Sequence, residues 1–189
     1  MMKKKLITLT IVLGVLTMGM AGCIGGNNGK INREETHTVS DLSNTYTLTT
    51  YGIDGFKMPD IGASEYDEIR YVGDGHSDAM ITYTVYTEYT QSASVEDNKE
   101  YLVEYLEHSS LLSSVEESER SEHIDVIENE GKEIYVAYEG HEAYFYVPLD
   151  DEYITYLLVE VVDTTKDEID YQSYMFLANS EAYDVEFHK

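Results

Sequence analysis

The segment 153–163 constrains the fold of this chain more than any other. Successive side chains of a strand point to opposite faces of a sheet, and here both sets are apolar. One set comprises Ile154, Tyr156, Leu158 and Val162, and the other comprises Leu157, Val159 and Val161. Apolar residues on both faces are typical of a central strand. The pattern therefore predicts a sheet with segment 153–163 in its middle.

Period-two alternation predicts further strands along the chain. They span residues 45–50, a short segment ending at Pro59, 65–72, 79–90, 123–128, 133–139 and 142–147. In 79–90 the face carrying Ile81 and Tyr83 is expected to pack, and the face carrying Thr82 and Tyr86 is expected to face solvent. Residues 129–132 predict a hairpin turn in which Gly131 supplies a positive φ.

Two helices are predicted between and after these strands. Ser94 can cap a helix over 95–108, whose apolar residues recur at helical spacing. Thr165 and Glu168 form a capping-box pattern for a second helix ending near residues 179–180. Residues 109–122 are expected to form a loop or a frayed continuation of the first helix. The element order indicates an α+β domain with a mostly antiparallel sheet and about two helices packed on it.

The first 22 residues have the layout of a secretory signal peptide. Three lysines, Lys3 to Lys5, precede an uncharged and mostly apolar run over 6–18. The lysines favour the cytoplasmic side, and the run is shorter than the roughly 20 residues that span a bilayer. Cleavage is therefore expected rather than a permanent membrane span.

The residues that follow, Met20-Ala21-Gly22-Cys23, resemble the lipobox of prokaryotic lipoproteins. Family members usually carry Leu where this chain has Met20. The resemblance implies that segment 1–22 is removed and that Cys23 is modified with lipid. Lipid on Cys23 would hold the protein on the extracytoplasmic face of the cell membrane. Cys23 is the only cysteine, so no disulfide competes for it.

Charge limits the partners of the mature protein. Removal of the three lysines leaves nine Lys and Arg against 37 Asp and Glu, a net charge of −28. Such a surface repels nucleic acid, so nucleic acid is excluded as a partner. The partners that remain are the membrane, reached through lipid on Cys23, a protein, and weakly bound divalent cations.

Residues 23–44 are rich in Gly, Asn, Thr and Ser and predict a flexible linker, although an edge strand near 37–39 is an alternative. Residues 45–189 then form one domain.

The predicted element order resembles that of the PsbP-like domain, which also occurs in small prokaryotic lipoproteins. The resemblance rests on the strand ending in Pro59, the strand over 79–90, the two hairpins, and a last helix reaching Asn179 and Ser180. The aromatic residue that usually follows the proline is replaced by Asp60. Known members are mostly non-catalytic binding or assembly factors, so the resemblance implies such a role and no cofactor.

The candidate metal sites lack residues that their metal-binding patterns require. Asp74, His76 and Asp78 begin like a calcium loop, but Ala79 replaces the required Gly and Val85 the distal Glu. The His141-Glu142 pair lacks the second His of a zinc helix and lies in a strand-like segment. The acidic stretch of Glu107, Glu116, Glu117, Glu119 and Glu122 is best explained as a solvated loop, with loose cation binding as an alternative.

No catalytic residue can be assigned from motifs, because the chain has neither a Gly-x-Ser-x-Gly elbow nor a cysteine left after lipidation. The 18 tyrosines are expected to be mostly half-buried core residues, with an exposed binding face as the alternative. The sequence thus predicts a non-enzymatic, lipid-anchored binding module. Two further hypotheses stay open: a surface protein that binds divalent cations, and a hydrolase whose dispersed site gathers His and carboxylates in a concave pocket.

Overall fold

The computed structural model describes residues 31–32, 46–53, 55–57, 68–73, 78–87 and 94–187. The predicted signal peptide, Cys23 and the linker residues 24–30 and 33–44 lie outside these ranges. The strands are β1 (Ile31–Asn32), β2 (Tyr46–Thr50), β3 (Gly52–Ile53), β4 (Phe56–Lys57), β5 (Glu68–Gly73), β6 (Ala79–Thr87), β7 (Ile124–Asn129), β8 (Lys132–Glu139), β9 (Glu142–Pro148), β10 (Thr155–Asp163) and β11 (Tyr183–Phe187).

A seven-stranded antiparallel sheet in the order β4-β5-β6-β10-β9-β8-β7 forms the middle of the domain. Strand β10 is the fourth of the seven and pairs with β6 from Thr155↔Thr87 to Asp163↔Ala79. This confirms both the predicted α+β class and the central position of the apolar strand. The β7–β8 hairpin also forms as predicted, with Glu130 at φ 51° and Gly131 at φ 82°.

One face of the sheet carries the main hydrophobic core. Its fully buried side chains include Ile69, Tyr71, Ile81, Tyr83, Phe145, Leu157 and Val159. A two-stranded ribbon of β2 and β11, which pair antiparallel, contributes Leu48 and Tyr46 to this core. The last described residues, Tyr183–Phe187, are thus a strand of the domain. Strand β1 pairs with β3, so Ile31 and Asn32, which fall in the predicted linker, take part in sheet structure.

The opposite face is covered by helix α1 (Val95–Glu107). The Ser94 hydroxyl accepts the Asp97 N–H at 3.1 Å, as the predicted cap requires. Leu102 and Leu106 of α1 pack with a second set of buried residues that includes Leu111, Leu112, Tyr135, Tyr146 and Tyr156. Residues 109–122 contain two 3₁₀ helices, Leu111–Ser114 and Arg120–His123, in place of the predicted loop.

The prediction that the Thr82 face of β6 is exposed to solvent is wrong. Thr82 is 1% exposed, and the Tyr86 ring lies 6.2 Å from the Tyr105 ring of α1. Alternation showed which residues share a face, but not that α1 would extend over this part of the sheet. The expectation of buried tyrosines is confirmed, since Tyr83 and Tyr156 are no more than 1% exposed.

The predicted second helix begins in the wrong place. The Thr165 hydroxyl and amide both donate to the Asp163 carboxylate, at 2.5 and 3.1 Å, and Thr165 is not a helix cap. A 3₁₀ helix, Tyr171–Ala178, follows six residues later and packs Leu177 and Ala178 into the main core. The local capping-box pattern was overridden because Asp163, at the end of β10, captures the same Thr165 groups.

In the ranges that the structure describes, no helix is both long and apolar enough to cross a membrane.

Candidate functional site

A groove of about 470 Å³ lies where β8 turns into β9. Ser110, Ser113 and Ser114, at and within the first 3₁₀ helix, line one part of it. Glu139, His141 and Glu142 of the β8–β9 turn, together with Tyr144, line the rest. We call this surface the turn groove. It combines hydroxyl, imidazole and carboxylate groups in one concave place.

Main-chain hydrogen bonds fix the turn that shapes the groove. The Asp163 N–H donates to the His141 carbonyl at 2.9 Å, and the Ile169 N–H donates to the Gly140 carbonyl at 2.6 Å. Gly140 has a φ of 54°, in the left-handed region that glycine adopts without steric cost. The groove is therefore attached to the end of the central strand and to the segment after it.

Glu139 is paired with a histidine from outside the turn. His123 Nδ1 lies 2.8 Å from Glu139 Oε2 and 3.1 Å from the Tyr138 carbonyl oxygen. Both neighbours are acceptors, so Nδ1 carries the proton. His141 is held more loosely, with its Nε2 3.7 Å from Glu142 Oε1. The Tyr144 hydroxyl donates weakly to the other oxygen of Glu142, at 3.5 Å.

A row of polar side chains continues from the groove across the sheet. Tyr144 on β9 pairs with Glu160 on β10, Glu160 pairs with Thr82 on β6, and Thr82 pairs with Arg70 on β5. Directly paired residues project from the same face, so all four lie on the α1 side of the sheet. We call them the Glu160 row. Tyr144 belongs to both the row and the turn groove.

Glu160 carries a negative charge in an unfavourable place. Partial burial raises the pKa of its carboxyl, and the nearby charges of Glu68 and Glu142 raise it further, while Arg70 lowers it. Arg70 is itself salt-bridged to Glu68. Among the residues that the structure describes, no hydrogen bond or salt bridge reaches the Glu160 carboxylate. The adjacent Thr82 hydroxyl is buried and also has no partner.

Tyr144 remains a neutral phenol at physiological pH. Burial, with the charges of Glu160 and Glu142, raises its pKa to about 12. Its hydroxyl donates to the Glu142 carboxylate and also has a hydrogen bond with the Ser110 side chain, which partly offsets this rise; the oxygen has a second lone pair for a further donor.

A second titratable cluster joins β7 to the last 3₁₀ helix. The Tyr171 hydroxyl donates to Asp125 Oδ2, and the Gln172 amide donates to the Tyr171 oxygen. Burial and the Asp125 hydrogen bond raise the pKa of Tyr171 to about 12. The Tyr138 ring stacks beside Tyr171 at 4.8 Å. These groups hold two elements together.

The residues singled out from sequence are scattered. Asp78 is exposed, and Asp74 and His76 lie outside the described residues. Glu142 begins a strand, as expected when the zinc helix was rejected. Glu116, Glu117, Glu119 and Glu122 are exposed. Within the described ranges, no group of three or more His, Cys, Asp or Glu side chains could hold a metal ion.

Sequence reasoning missed Glu160, Thr82 and Ser110. A signal for Glu160 was present, because it is the one glutamate inside the otherwise apolar strand β10. Its neighbours Thr82 and Tyr144 could be found only from the register of β6 and β9, which alternation does not give.

Compared with known proteins, the chain matches no family model and no curated sequence.

Proposed function

We propose that this chain is a lipoprotein anchored through Cys23 on the extracytoplasmic face of the cell membrane, whose domain binds a partner without catalysing a reaction. The anchor rests on the basic start, the apolar run and the lipobox resemblance at Met20 to Cys23. The binding role also accords with the PsbP-like resemblance.

The observation that carries the binding role is a concentration of glutamates at one end of the sheet. Glu139 and Glu142 face each other across the β8–β9 hairpin, and Glu142 interacts electrostatically with Glu160. In the described part of the chain, the only side chains that form ion pairs with Glu139 and Glu142 are His123 and His141, respectively. Because the whole chain has a net charge of −25, this surface favours a positively charged region of a partner protein.

The anchor is tested by the mass of the protein extracted from membranes. We expect loss of residues 1–22 and addition of lipid mass at Cys23, and we expect Cys23→Ser to be found without lipid. Recovery of a chain that retains residues 1–22 and carries an unmodified thiol would refute the anchor.

The binding role is tested by crosslinking and capture from intact membranes. We expect the double variant Glu139→Gln/Glu142→Gln to lose a partner that the wild-type protein captures. The matched control, Glu116→Gln/Glu117→Gln, changes the net charge equally at exposed positions and should keep the partner. Equal capture by both variants would show that the turn groove is not the binding surface.

One observation favours a second candidate, the dispersed-site hydrolase. The turn groove gathers His141, two carboxylates and three serines, which is the kind of pocket that this hypothesis predicts. A serine nucleophile needs a base within hydrogen-bond reach. The Ser113 hydroxyl instead donates to the Ser110 carbonyl at 2.7 Å. Covalent labelling of Ser110, Ser113 or Ser114 by a fluorophosphonate would favour the hydrolase over the binding module.

A further inference from the structure

The middle of the sheet contains a carboxylate without a matching cation. Glu160 lies on the central strand between Thr82 and Tyr144, and it is half-buried. A buried charge is normally paired or hydrogen-bonded, because it otherwise loses hydration without compensation. Arg70, a cation that acts on Glu160, is engaged by Glu68. In the described part of the chain the row therefore lacks a cation for Glu160.

The Thr82 hydroxyl is a second, independent observation that points to a ligand beside Glu160. Thr82 is 1% exposed and its Oγ1 has no hydrogen-bond partner. Buried hydroxyls nearly always have a partner in native proteins. Thr82 pairs directly with Glu160, so its side chain projects from the same face beside that carboxylate. A donor bound at Glu160 would be positioned to satisfy Thr82 as well.

We propose that the Glu160 row binds an alkylammonium group, with the Glu160 carboxylate as the principal acceptor and the Thr82 and Tyr144 hydroxyls as secondary acceptors. This deepens the proposed function and rests on it, since it assigns a chemical class to the partner group.

An ammonium matches these acceptors better than other cations do. It carries three donors on a compact charge, which suits acceptors on three different strands. A guanidinium is a planar fork best matched to one coplanar carboxylate or phosphate. A divalent metal needs several carboxylate or carbonyl ligands at short distance, and no such group is assembled among the described residues. The ammonium could be the end of a lysine side chain or of a free polyamine.

Titration calorimetry on the full chain in detergent micelles tests the inference. The probes are acetyl-Gly-Lys-Gly-amide, the same peptide with an acetylated lysine, spermidine and calcium chloride. We expect the lysine peptide or spermidine to bind, with the stronger probe identifying the source of the ammonium. The acetylated peptide should not bind, because it lacks the charge. Binding of calcium alone would overturn the proposal in favour of a metal site.

Variants separate a specific site from attraction to the overall negative charge. Glu160→Gln should weaken amine binding at least tenfold, since it removes a charge-assisted hydrogen bond. Thr82→Val keeps the side-chain shape and should weaken binding about threefold or more. Glu117→Gln removes the same charge at an exposed site and should bind like the wild type. Equal affinities of the Glu160 and Glu117 variants would overturn the proposal.

The outcomes also distinguish this inference from the proposed function. Partner capture that depends on Glu139 and Glu142, combined with amine binding unaffected by Glu160→Gln, would leave the binding module standing and refute the ammonium site. If the groove variants still capture the partner while amine binding depends on Glu160, the turn groove is refuted as the partner surface and the ammonium site stands.

Discussion

Asp163 offers the sharpest test of how this fold is held together. It is 7% exposed, lies at the end of β10, and accepts three hydrogen bonds. The donors are the Thr165 N–H at 3.1 Å, the Thr165 hydroxyl at 2.5 Å and the Tyr174 hydroxyl at 2.8 Å. These bonds attach the segment after β10, and through Tyr174 the last 3₁₀ helix, to the end of the sheet.

The size of the effect follows from the number and kind of these bonds. A hydrogen bond to a charged acceptor contributes about 1.5–3 kcal/mol, against about 1 kcal/mol for a neutral one. Asp163→Asn keeps one acceptor oxygen for the two Thr165 bonds but loses the charge and replaces the Oδ2 that accepts from Tyr174, so two weakened bonds and one lost bond predict a loss of about 3 kcal/mol. Asp163→Ala removes all three and predicts a loss of about 5 kcal/mol or more. Tyr174→Phe removes one and predicts a loss of about 1.5–3 kcal/mol.

The effect of Asp163→Asn should depend on pH, because the fold changes the pKa of Asp163. Burial alone raises the pKa of Asp163, but the hydrogen bonds from Thr165 and Tyr174 and the charge of Lys166 together lower it below 3.8. A carboxyl with a lowered pKa stabilises the fold above its unfolded-state pKa and loses that contribution as pH falls through its folded-state pKa. The Asp163→Asn penalty should therefore be full at pH 7 and shrink below about pH 4.

Urea denaturation of the full chain, followed by circular dichroism at pH 7 and at pH 3, measures these differences. Asp167→Asn is the matched control, because Asp167 is exposed in the same segment. A penalty for Asp163→Asn that is absent at pH 7, or equal at both pH values, would refute the argument from charged hydrogen bonds.

Three further predictions concern single side chains elsewhere in the domain. Ser94→Ala removes the cap of α1 and should lower the free energy of unfolding by about 1 kcal/mol in urea, with Ser94→Asp as the variant that restores it. Gly131→Ala should lower the free energy of unfolding by about 1 kcal/mol in the same assay, because Gly131 has a φ of 82°. No atom lies within 4 Å of the added Cβ, so a much larger loss would contradict a purely backbone effect. Glu160→Gln should raise the melting temperature at pH 7. The raised pKa of Glu160 means that its ionisation destabilises the fold as pH rises. The increase in melting temperature should therefore vanish below pH 4, and a lower melting temperature of the variant at pH 7 would contradict the argument.

Most of the sheet could be predicted from the sequence because its strands alternate regularly and its turns carry clear signals. Strand β10 illustrates this, since its two apolar faces indicated a central position that the structure confirms. The second helix was misplaced because Thr165 and Glu168 look like a cap locally, whereas the Asp163 carboxylate accepts the Thr165 N–H that Glu168 would accept in a capping box. The capping-box pattern alone does not reveal this competition, because it does not consider a carboxylate two residues before the cap.

The candidate site was largely beyond prediction for a related reason. His123 and Glu139, or Glu160 and Thr82, are far apart in sequence and meet only through strand register and the packing of the 3₁₀ helices. Alternation also implied a solvated face for Thr82, because periodicity does not show that other elements extend over it. A glutamate inside an apolar central strand is the one clue that the sequence offered.

The β2–β11 ribbon links the two ends of the domain and so affects how the domain is made. Leu48, on the first of these strands, is fully buried, yet its partner Val185 lies at the far end of the domain sequence. A chain that emerges from the ribosome or from a membrane channel with its first residues leading must keep Leu48 unpaired until β11 has also emerged. Folding of this domain therefore cannot be completed before β11 has emerged, and until then the chain exposes apolar surface that favours aggregation.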